Sequence, residues 1–341
     1  MLKACPLVLT ALILFVPQSR AQNASAANRD PGRPAPAVLP GSGPSQHPFL
    51  YAGEWDMRKP QEQSIFIVRG GKIVWRYTMP IKTASGLNQE FDDATLLPND
   101  NIVFSHMRGA AMVSPDKKIL WHYDAPPDTE VHSIQYLGKD RVLIMRNGHP
   151  AEAMIIDTAT GNIVKEILIP TIDHEGGCHG QFRHIRMIKA GTILVPYLME
   201  NKVVEYSLDG KVLWSVPAKS PWQAIRLGSG DTLIAGDSNR YAREVNPKGE
   251  TVWEFSQQDA PGYKLGNFQT ADRLANGNTV ITFWVAGDND TSHWPGTVQV
   301  MEVTPGKKIV WALSSWKNPD LGPASSIQLL DQPGNFLDQE R

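Results

Sequence analysis

Apolar and polar residues alternate in short runs along most of the chain, and no long segment has the 3.6-residue period of a helix. One phrase recurs: a turn residue, then Lys or another polar residue, two aliphatic residues and Trp. Its clear copies begin at Gly71, Lys117, Gly210, Gly249 and Lys307. A degraded copy begins at Gly161, with Lys165 in the Trp position. The spacing averages about 47 residues, within the range of propeller blades.

A second phrase lies between these copies, in which two apolar strands flank an Asn/Gly turn. Leu97–Val103 and Leu274–Val280 are examples, and each is a tight β-hairpin signal. Each unit therefore holds about four short strands. Six such units predict an all-β, six-bladed β-propeller, with seven blades as the alternative.

The two ends of the repeat region complement each other. Residues 325–330 resemble a first strand without later partners, whereas residues 49–55, 64–68 and 72–77 resemble later strands without a first one. Pairing the two ends would complete the sixth blade and remove an exposed sheet edge. A solenoid would instead need a cap at each end, and the sequence offers neither.

The N-terminal residues predict export. Lys3 precedes a short apolar run, residues 6–16, and residues 19–21 end in a small residue suited to cleavage. This pattern is typical of a secretory signal peptide and is too short to span a bilayer. We therefore expect a signal peptide at 1–21, a flexible leader rich in Ala, Pro, Gly and Ser at 22–46, and one propeller domain at 47–341. The predicted location is periplasmic or secreted, with no transmembrane segment.

Composition narrows the classes of partner. The chain has 341 residues, 41% of them hydrophobic, so it can bury a large core. Cleavage after Ala21 would remove Lys3 and Arg20 and leave a formal charge of −4, which does not favour nucleic acid. We therefore expect a small-molecule partner. Cys178 is the one cysteine of the mature chain, which excludes an intramolecular disulfide.

Aligning the blades with each other separates structural charges from candidate chemistry. Three arginines stand in register at 186, 226 and 273, and three glutamates stand in register at 205, 244 and 302 of the same blades. Buried Arg needs a charged partner, so we interpret Arg186, Arg226 and Arg273 as structural and paired with glutamates of their own or a neighbouring blade.

Two other columns hold polar or aromatic residues that differ from blade to blade. The first, where the chain enters the innermost strand, comprises Asp92, His132, Arg183, Gln223, Thr270 and Ser326. The second, where the next strand ends, comprises His106, Arg146, Tyr197, Asp237 and Trp284. Both columns should open on one face and ring the mouth of the central channel. Such a ring is either a binding site on a repeat scaffold or an ordinary solvated rim.

The candidate catalytic residues are Asp92, His132, His179, Arg183 and His184. Histidine beside carboxylate and arginine can act as a general base or as a nucleophile. The candidate ligand-binding residues are His106, Arg146, Tyr197, Gln223, Asp237 and Trp284.

Other features in this region have less specific signals. His174, His179 and His184 are five residues apart, which does not place them on one face of a strand or helix, so we predict no metal. Cys178 is interpreted as an inert thiol rather than a nucleophile. Residues 284–297 form a long insertion at the same face, which is either a lid or a plain surface loop.

The "NGNT"-type hairpin at 276–279 and the "GK-[IV]-[VL]-W" endings resemble the PQQ-like propeller repeats of the quinoprotein alcohol-dehydrogenase-like superfamily. They are also similar to the propeller of bacterial arylsulfotransferases, over roughly residues 47–332. The first resemblance implies a quinone and the second implies chemistry by histidine and arginine, with His132, His179 or His184 as the histidine. Quinone-dependent dehydrogenases are longer, with eight blades and an adjacent cysteine pair, so we predict no cofactor.

Three functions follow: an exported propeller that binds a small carbohydrate or aryl ligand or serves as a scaffold; an enzyme using acid–base or group-transfer chemistry at the channel mouth; and a quinone oxidoreductase. An enzyme should bring the candidate catalytic side chains within hydrogen-bond reach of each other. A scaffold should scatter them and expose an apolar patch instead.

Overall fold

The structure is a computed structural model that describes residues 36–172 and 177–332. The predicted signal peptide, the first part of the predicted leader, His174 and the residues after Gln332 lie outside the described residues. Within them the fold is all-β, with six four-stranded antiparallel sheets. These sheets are the blades of a six-bladed β-propeller, which confirms the predicted architecture.

The blades follow each other along the chain, each built from the channel outward. Blade 1 comprises β4 (Phe91–Leu96), β5 (Ile102–His106), β6 (Gly109–Val113) and β7 (Ile119–Asp124). Blade 2 comprises β8 (Glu130–Gly138), β9 (Arg141–Asn147), β10 (Ala151–Asp157) and β11 (Ile163–Ile169). Blade 3 comprises β12 (Arg186–Met187), β13 (Ile193–Tyr197), β14 (Lys202–Tyr206) and β15 (Val212–Pro217).

Blade 4 comprises β16 (Pro221–Arg226), β17 (Thr232–Gly236), β18 (Tyr241–Val245) and β19 (Thr251–Ser256). Blade 5 comprises β21 (Asn267–Arg273), β22 (Thr279–Trp284), β24 (Val300–Val303) and β25 (Ile309–Leu313). Blade 6 comprises β26 (Ala324–Leu329), β1 (Phe49–Gly53), β2 (Glu62–Arg69) and β3 (Lys72–Pro80). A short parallel pair, β20 (Lys264–Leu265) with β23 (Thr297–Val298), lies outside the blades.

Blade 6 is closed by the two ends of the domain, as the sequence predicts. The C-terminal strand β26 is innermost and pairs antiparallel with β1, placing Phe49 opposite Leu329 and Tyr51 opposite Ile327. The strand that follows β26 in the sheet is therefore β1. Closure gives β26 hydrogen-bonded and packed neighbours instead of an open edge.

The recurring phrase marks the turn between the third and fourth strands of every blade. Its first residue has positive φ in all six copies, as Gly at 71, 161, 210 and 249 and as Lys at 117 and 307. A β-bulge follows between the third and fourth strands of each blade. The sequence period thus reflects one left-handed position per blade, where glycine is preferred.

The Trp that ends the phrase ties one blade to the next. The indole nitrogens of Trp75, Trp214 and Trp253 donate to the carbonyl oxygens of Pro115, Pro247 and Pro305, at 2.8, 2.9 and 2.9 Å. Each acceptor lies in the corresponding turn of the following blade. Trp311 of blade 5 donates instead to the Gly43 carbonyl at 2.8 Å, in the segment that precedes β1.

Two of the three arginines in register pair with glutamates of the preceding blade, as predicted. Arg226 contacts Glu205 and Arg273 contacts Glu244, each at 2.6 Å. Their guanidinium groups also lie over the repeat tryptophans, 4.8 Å from the Trp214 ring centre and 5.3 Å from that of Trp253. Each of these ion pairs therefore joins two neighbouring blades.

The prediction of a glutamate partner is wrong for the third arginine. Arg186 binds the carboxylate of Asp93, at 2.7 Å, across from blade 3 to blade 1. The Glu302 carboxylate instead contacts His47 at 3.1 Å and accepts a hydrogen bond from Asn278 at 2.6 Å. Blade 2 carries isoleucine at the third-strand position where a glutamate partner for Arg186 would lie, and blade 6 carries Leu329 where an arginine partner for Glu302 would lie.

Among the described residues, no helix has the length and apolar character needed to cross a bilayer. Helical structure there consists of short 3-10 turns, such as Thr291–Gly296 in the 284–297 insertion.

Candidate functional site

The innermost strands carry a second series of bulges, at the face where these strands begin. Register shifts occur in blades 1, 2, 4, 5 and 6, at Phe91/Ala94, Val131/Ser133, Pro221/Gln223, Phe268/Ala271 and Ala52/Gly53. An extra residue in a strand interrupts the alternation of side chains between the two faces of the sheet and so changes the direction in which nearby side chains point. Asp92 and Asp93 lie between Phe91 and Ala94, where this register shift occurs, and both are buried.

Four blades contribute to one group of acids and histidines at this face. We call it the acid–histidine cluster, and it consists of Glu54, Glu90, Asp92, Glu130, His132 and His179. Glu54 directly follows β1, Glu90 and Asp92 lie at the start of β4, Glu130 and His132 at the start of β8, and His179 precedes β12. Glu54, Asp92 and His132 are each at most 2% exposed.

His132 lies between carboxyl groups on both sides of its ring. Its Nδ1 is 3.0 Å from Asp92 Oδ2 and 3.6 Å from Glu90 Oε1, and its Nε2 is 2.9 Å from Glu130 Oε2. Burial and the nearby Arg183 guanidinium lower the pKa of His132. The neutral ring with Nε2 protonated can donate to Glu130 and accept at Nδ1 from a protonated acid.

His179 joins the cluster from blade 3. Its ring centre is 5.1 Å from that of His132, and its Nδ1 is 2.9 Å from the same Glu130 Oε2. Arg183 Nη2 lies 3.2 Å from His179 Nε2 and donates there, so the proton of the neutral ring is on Nδ1. The His179 side chain is 48% exposed, which makes it the member of the cluster most open to solvent.

Arg183 is held from several directions although it is almost fully buried. Its Nη1 donates to the carbonyl oxygens of His179 and Phe182, and its guanidinium lies 4.5 Å from the ring centre of Trp222. No carboxylate contacts it directly in the described structure. It is therefore a fixed positive charge beside the acid–histidine cluster rather than one half of an ion pair.

The carboxyl groups of the cluster differ in their environments. Burial raises the pKa of Glu54, Glu90 and Asp92, and the neighbouring acids raise the pKa of Glu54 and Glu90 further. Burial also opposes ionisation of Glu130, but the hydrogen bonds from His132 and His179 hold its pKa well below the ordinary value. Carboxyl groups with such divergent environments are typical of active sites, although structural networks also produce them.

Three atoms of the acid–histidine cluster and of Arg183 are buried without a hydrogen-bond partner in the described structure. They are Asp92 Oδ1, Glu54 Oε2 and Arg183 Nε. Buried polar atoms are usually paired, so each unpaired atom calls for an explanation such as an ion, a water or a ligand.

His184, the remaining candidate catalytic residue, belongs to a second group, together with Asp93 and Arg186. Its Nδ1 is 3.8 Å from Asp93 Oδ2 and 3.4 Å from Arg186 Nη2. It is fully buried, and burial lowers its pKa to about 3. His184 therefore contacts the Asp93–Arg186 ion pair rather than the side chains of the acid–histidine cluster.

The candidate ligand-binding residues divide into two sets. Gln223 and Asp237 bind the innermost strand of blade 5: the Gln223 amide oxygen accepts from the Ala271 backbone at 2.7 Å, and Asp237 accepts from Gln269 at 3.2 Å. Burial raises the pKa of Asp237 to about 6. Trp284 ends β22 and lines a neighbouring cavity.

The second set, His106, Arg146 and Tyr197, contacts side chains outside the acid–histidine cluster. His106 packs 6.2 Å from the Phe104 ring centre, and burial lowers its pKa to about 4. Arg146 is paired with Glu152. The Tyr197 hydroxyl is 2.6 Å from that of Tyr206, and its ring packs on Phe182 in the core. The structure does not bring these three into the acid–histidine cluster.

Cys178 is half-buried beside the cluster. Its Sγ is 3.5 Å from the Asp128 carbonyl oxygen, and burial together with Glu130 raises its pKa. This environment disfavours the thiolate that a nucleophilic cysteine requires.

A cavity of about 280 Å³ lies at the blade 4–blade 5 side of the same face, lined by Arg240, Leu265, Gly266, Asn267, Trp284, Val285, Gly287, Asp288 and Thr297. The 284–297 insertion forms one of its walls. The insertion is anchored by Trp294, which is fully buried and packs with Trp55, Trp284 and Trp316. Four tryptophans outside the repeat thus support the cavity, and Trp222 supports Arg183.

Sequence reasoning missed the three glutamates of the cluster. Glu90 precedes Asp92 by two residues and Glu130 precedes His132 by two, at matching places in adjacent blades. A shared acidic residue two positions before the first polar column was therefore a usable signal. Glu54 was missed because the second polar column has no member from blade 6, whose second strand β1 comes from the N-terminal end of the domain.

Comparison with known proteins shows the fold and not the activity. No protein-family model and no curated protein matches the chain. A solved protein of unknown function from Bacteroides caccae is 26% identical, with a TM-score of 0.70 over 84% of this chain and 98% of that one. A catalytically inactive virginiamycin B lyase from Staphylococcus aureus, solved with quinupristin, is 15% identical, with a TM-score of 0.54 over 82% and 90%. This chain is similar to both in having a β-propeller fold.

Proposed function

We propose that this chain is an exported enzyme that binds a small carbohydrate or aryl molecule at one mouth of the propeller channel and acts on it by acid–base chemistry. The acid–histidine cluster with Arg183 would carry the chemistry. The cavity beside Trp284 would hold the remainder of the molecule.

One observation carries this proposal: candidate catalytic residues from three blades meet. Asp92, His132 and His179 are connected by contacts of 3.0 Å between Asp92 and His132 and 5.1 Å between the two imidazole rings. Arg183 then contacts His179 at 3.2 Å. Residues that merely lined a solvated rim would have no reason to converge below the surface, since buried charges are costly unless function or pairing requires them.

The roles follow from exposure and position. His179 is half-exposed and is fixed through Nδ1 by Glu130, so its Nε2 can meet a molecule entering from solvent when Arg183 releases that nitrogen. Glu130 and His132 act as positioning residues behind it. Arg183 supplies a buried positive charge suited to a negatively charged group or a developing oxyanion.

The distribution of apolar surface does not favour a scaffold. Exposed aliphatic side chains occur on the outermost strands β3, β7, β11, β15 and β19, for example Val74, Leu120, Val164, Leu213 and Val252. They are spread over five blades around the circumference rather than gathered in one patch. A docking scaffold would need a contiguous apolar surface.

Group transfer is the second candidate, and the His179–Arg183 contact favours it. In a sulfuryl transfer, the S–O bond of an aryl sulfate would break as a bond forms between sulfur and His179 Nε2. A phenolate would leave, and a second phenol or water would later accept the group and lose its proton. Arg183 would stabilise the sulfuryl oxygens.

Chromogenic substrates test the proposal. Full-length protein would be assayed with p-nitrophenyl glycosides, carboxylic esters and sulfate, alongside His179→Ala and a control, His122→Ala, whose side chain is 62% exposed on β7. We expect the wild type to turn over at least one class. The His179→Ala rate should fall about 10²- to 10⁴-fold, as for loss of a general acid–base group.

The control should keep the wild-type rate. Circular dichroism and the melting temperature would verify that His179→Ala is folded, which its half-exposed position favours. Wild-type turnover that survives His179→Ala unchanged would contradict the assigned chemistry. Failure of every class to react, or to raise the melting temperature, would contradict the substrate assignment.

A further inference from the structure

Two overlapping groups in the acid–histidine cluster have the dimensions of a metal site. In Glu90, His132 and His179, one potential ligand atom from each residue lies within 4.8 Å of the others, and the same holds for Glu54, Glu90 and Asp92. Ligands about 2.0–2.2 Å from one ion can be at most about 4.4 Å apart. A few tenths of an ångström of side-chain movement would therefore bring either group onto a single ion, with Glu90 common to both.

The two histidines are held as metal ligands usually are. Metal-binding histidines normally donate their second ring N–H to a carboxylate, which orients the ring. Here Glu130 Oε2 lies 2.9 Å from His132 Nε2 and 2.9 Å from His179 Nδ1. One carboxylate thus fixes both rings, and their other nitrogens, His132 Nδ1 and His179 Nε2, now contact Asp92 and Arg183.

Unpartnered buried oxygens point to a missing cation. Asp92 is fully buried and Glu54 is 2% exposed, yet Asp92 Oδ1 and Glu54 Oε2 have no hydrogen-bond partner in the described structure. The four carboxyl groups of the cluster face two guanidinium groups, that of Arg183 and that of Arg108, whose Nη2 lies 3.4 Å from Glu130 Oε1. Fully ionised, with neutral histidines, the group would carry two uncompensated negative charges, which burial makes costly.

We propose that the acid–histidine cluster binds one divalent first-row transition-metal ion through Glu90, His132 and His179, with Asp92 and Glu54 as neighbouring carboxylate ligands or counter-charges. Two imidazoles and carboxylate oxygens are the donor set of zinc, iron(II) and manganese sites. The spacing of histidines along the chain predicted no metal because these ligands come from different blades.

Arg183 limits access to this ion. Its Nη2 occupies His179 Nε2 at 3.2 Å, so His179 can bind a metal only when Arg183 releases that nitrogen. Arg183 retains its bonds to the His179 and Phe182 carbonyl oxygens when it does so. The ion would lie at the inner end of the site of the proposed function, and it deepens that proposal by supplying a charge for an anionic substrate group. While the ion holds His179 Nε2, that nitrogen does not act as base or nucleophile, so His179 serves one role at a time.

Manganese binding tests this proposal without any substrate. Full-length protein treated with EDTA and dialysed would be titrated with Mn²⁺, and free ion would be measured by electron paramagnetic resonance. We expect one equivalent to bind and Zn²⁺ to displace it. Glu90→Gln and His132→Ala should each weaken binding at least about 10-fold, and Glu130→Gln about 10- to 100-fold as a positioning residue.

The controls separate a specific site from general effects. His122→Ala, on the outer strand β7, should bind Mn²⁺ like the wild type, and Glu90→Gln keeps the shape of the buried side chain, so it should remain folded. No binding of Mn²⁺ or Zn²⁺ by the wild type, or unchanged binding by Glu90→Gln, would overturn the metal site.

This outcome is distinguishable from failure of the proposed function, because binding is measured without turnover. Substrate turnover that persists in EDTA, by protein shown to be metal-free, would remove the ion from the reaction and leave the acid–base proposal intact. Metal binding without turnover of any substrate class would contradict the proposed function and leave the metal site intact.

Discussion

Single residues in this protein divide into those that join blades and those that converge on the channel mouth. Arg226 and Arg273 satisfy glutamates of the preceding blade and cover repeat tryptophans. His132 and His179 share one carboxylate, Glu130, instead. The same residue types thus have different roles according to the strand that carries them.

His47 is a joining residue whose contribution to stability should depend on pH. Its Nε2 is 3.1 Å from Glu302 and its Nδ1 is 2.8 Å from Asp331, so it links the entry to β1 with β24 and with the end of β26. Burial opposes its charge, but these two carboxylates raise the pKa of His47 above 6.5. The pKa of Glu302 is lowered from 4.5 although burial opposes this, because His47 and Asn278 bind its carboxylate.

The stabilisation by His47 is complete below pH 6.5 and is lost as the pH rises through its raised pKa. The Glu302 contribution is complete above pH 4.5 and is lost as the pH falls through its lowered pKa. We therefore expect His47→Gln to lower the melting temperature most at about pH 5.5, by the equivalent of about 1 kcal/mol, and less at pH 9. Differential scanning fluorimetry across pH would measure this, with His122→Gln as control. Equal losses at both pH values would contradict the assigned network.

At the scale of elements, the turn before each fourth strand explains why the blades could be counted from sequence. The left-handed residue, the bulge and the Trp hydrogen bond recur at fixed places, so their residue types recur as well. The innermost-strand bulges could not be predicted, because they move side chains between faces without a characteristic residue. Asp93 was therefore not distinguished from Asp92, and the Asp partner of Arg186 was missed.

The left-handed turn position predicts opposite effects for two substitutions. Lys117 has φ of 66° and an exposed side chain, and Gly161 has φ of 76° with no atom within 4 Å of an added Cβ. An L side chain costs about 1–2 kcal/mol in this conformation. Lys117→Gly should therefore stabilise the protein by up to about 1 kcal/mol, after the entropy cost of glycine, and Gly161→Ala should destabilise it by about 1 kcal/mol.

Melting temperatures would test these signs, with Lys118→Gly as the control. Lys118 does not have a positive φ and directly precedes β7, so glycine there should destabilise the protein. Destabilisation by Lys117→Gly equal to that by Lys118→Gly would show that backbone conformation does not set the residue preference of this turn.

At the scale of the whole molecule, sequence reasoning reached the blade number and the closure because both follow from periodic patterns. It reached the face that carries the acid–histidine cluster because two columns of polar residues fall at corresponding strand ends. It could not reach Glu54 or the contact of His132 with His179, since contacts between blades depend on how six sheets are arranged around an axis. His106, Arg146 and Tyr197 have partners outside the cluster, because the face on which a side chain lies does not decide which neighbour it contacts.

The central claim is that this face is one functional site for a small molecule, extending from the acid–histidine cluster to the cavity beside Trp284. A crystallographic screen of the full chain with aryl and sugar fragments tests it most directly. The account predicts fragment density in the cavity lined by Trp284, Asn267 and Arg240, or against His179 and Arg183. Fragments bound reproducibly elsewhere, with this mouth empty in every data set, would contradict it.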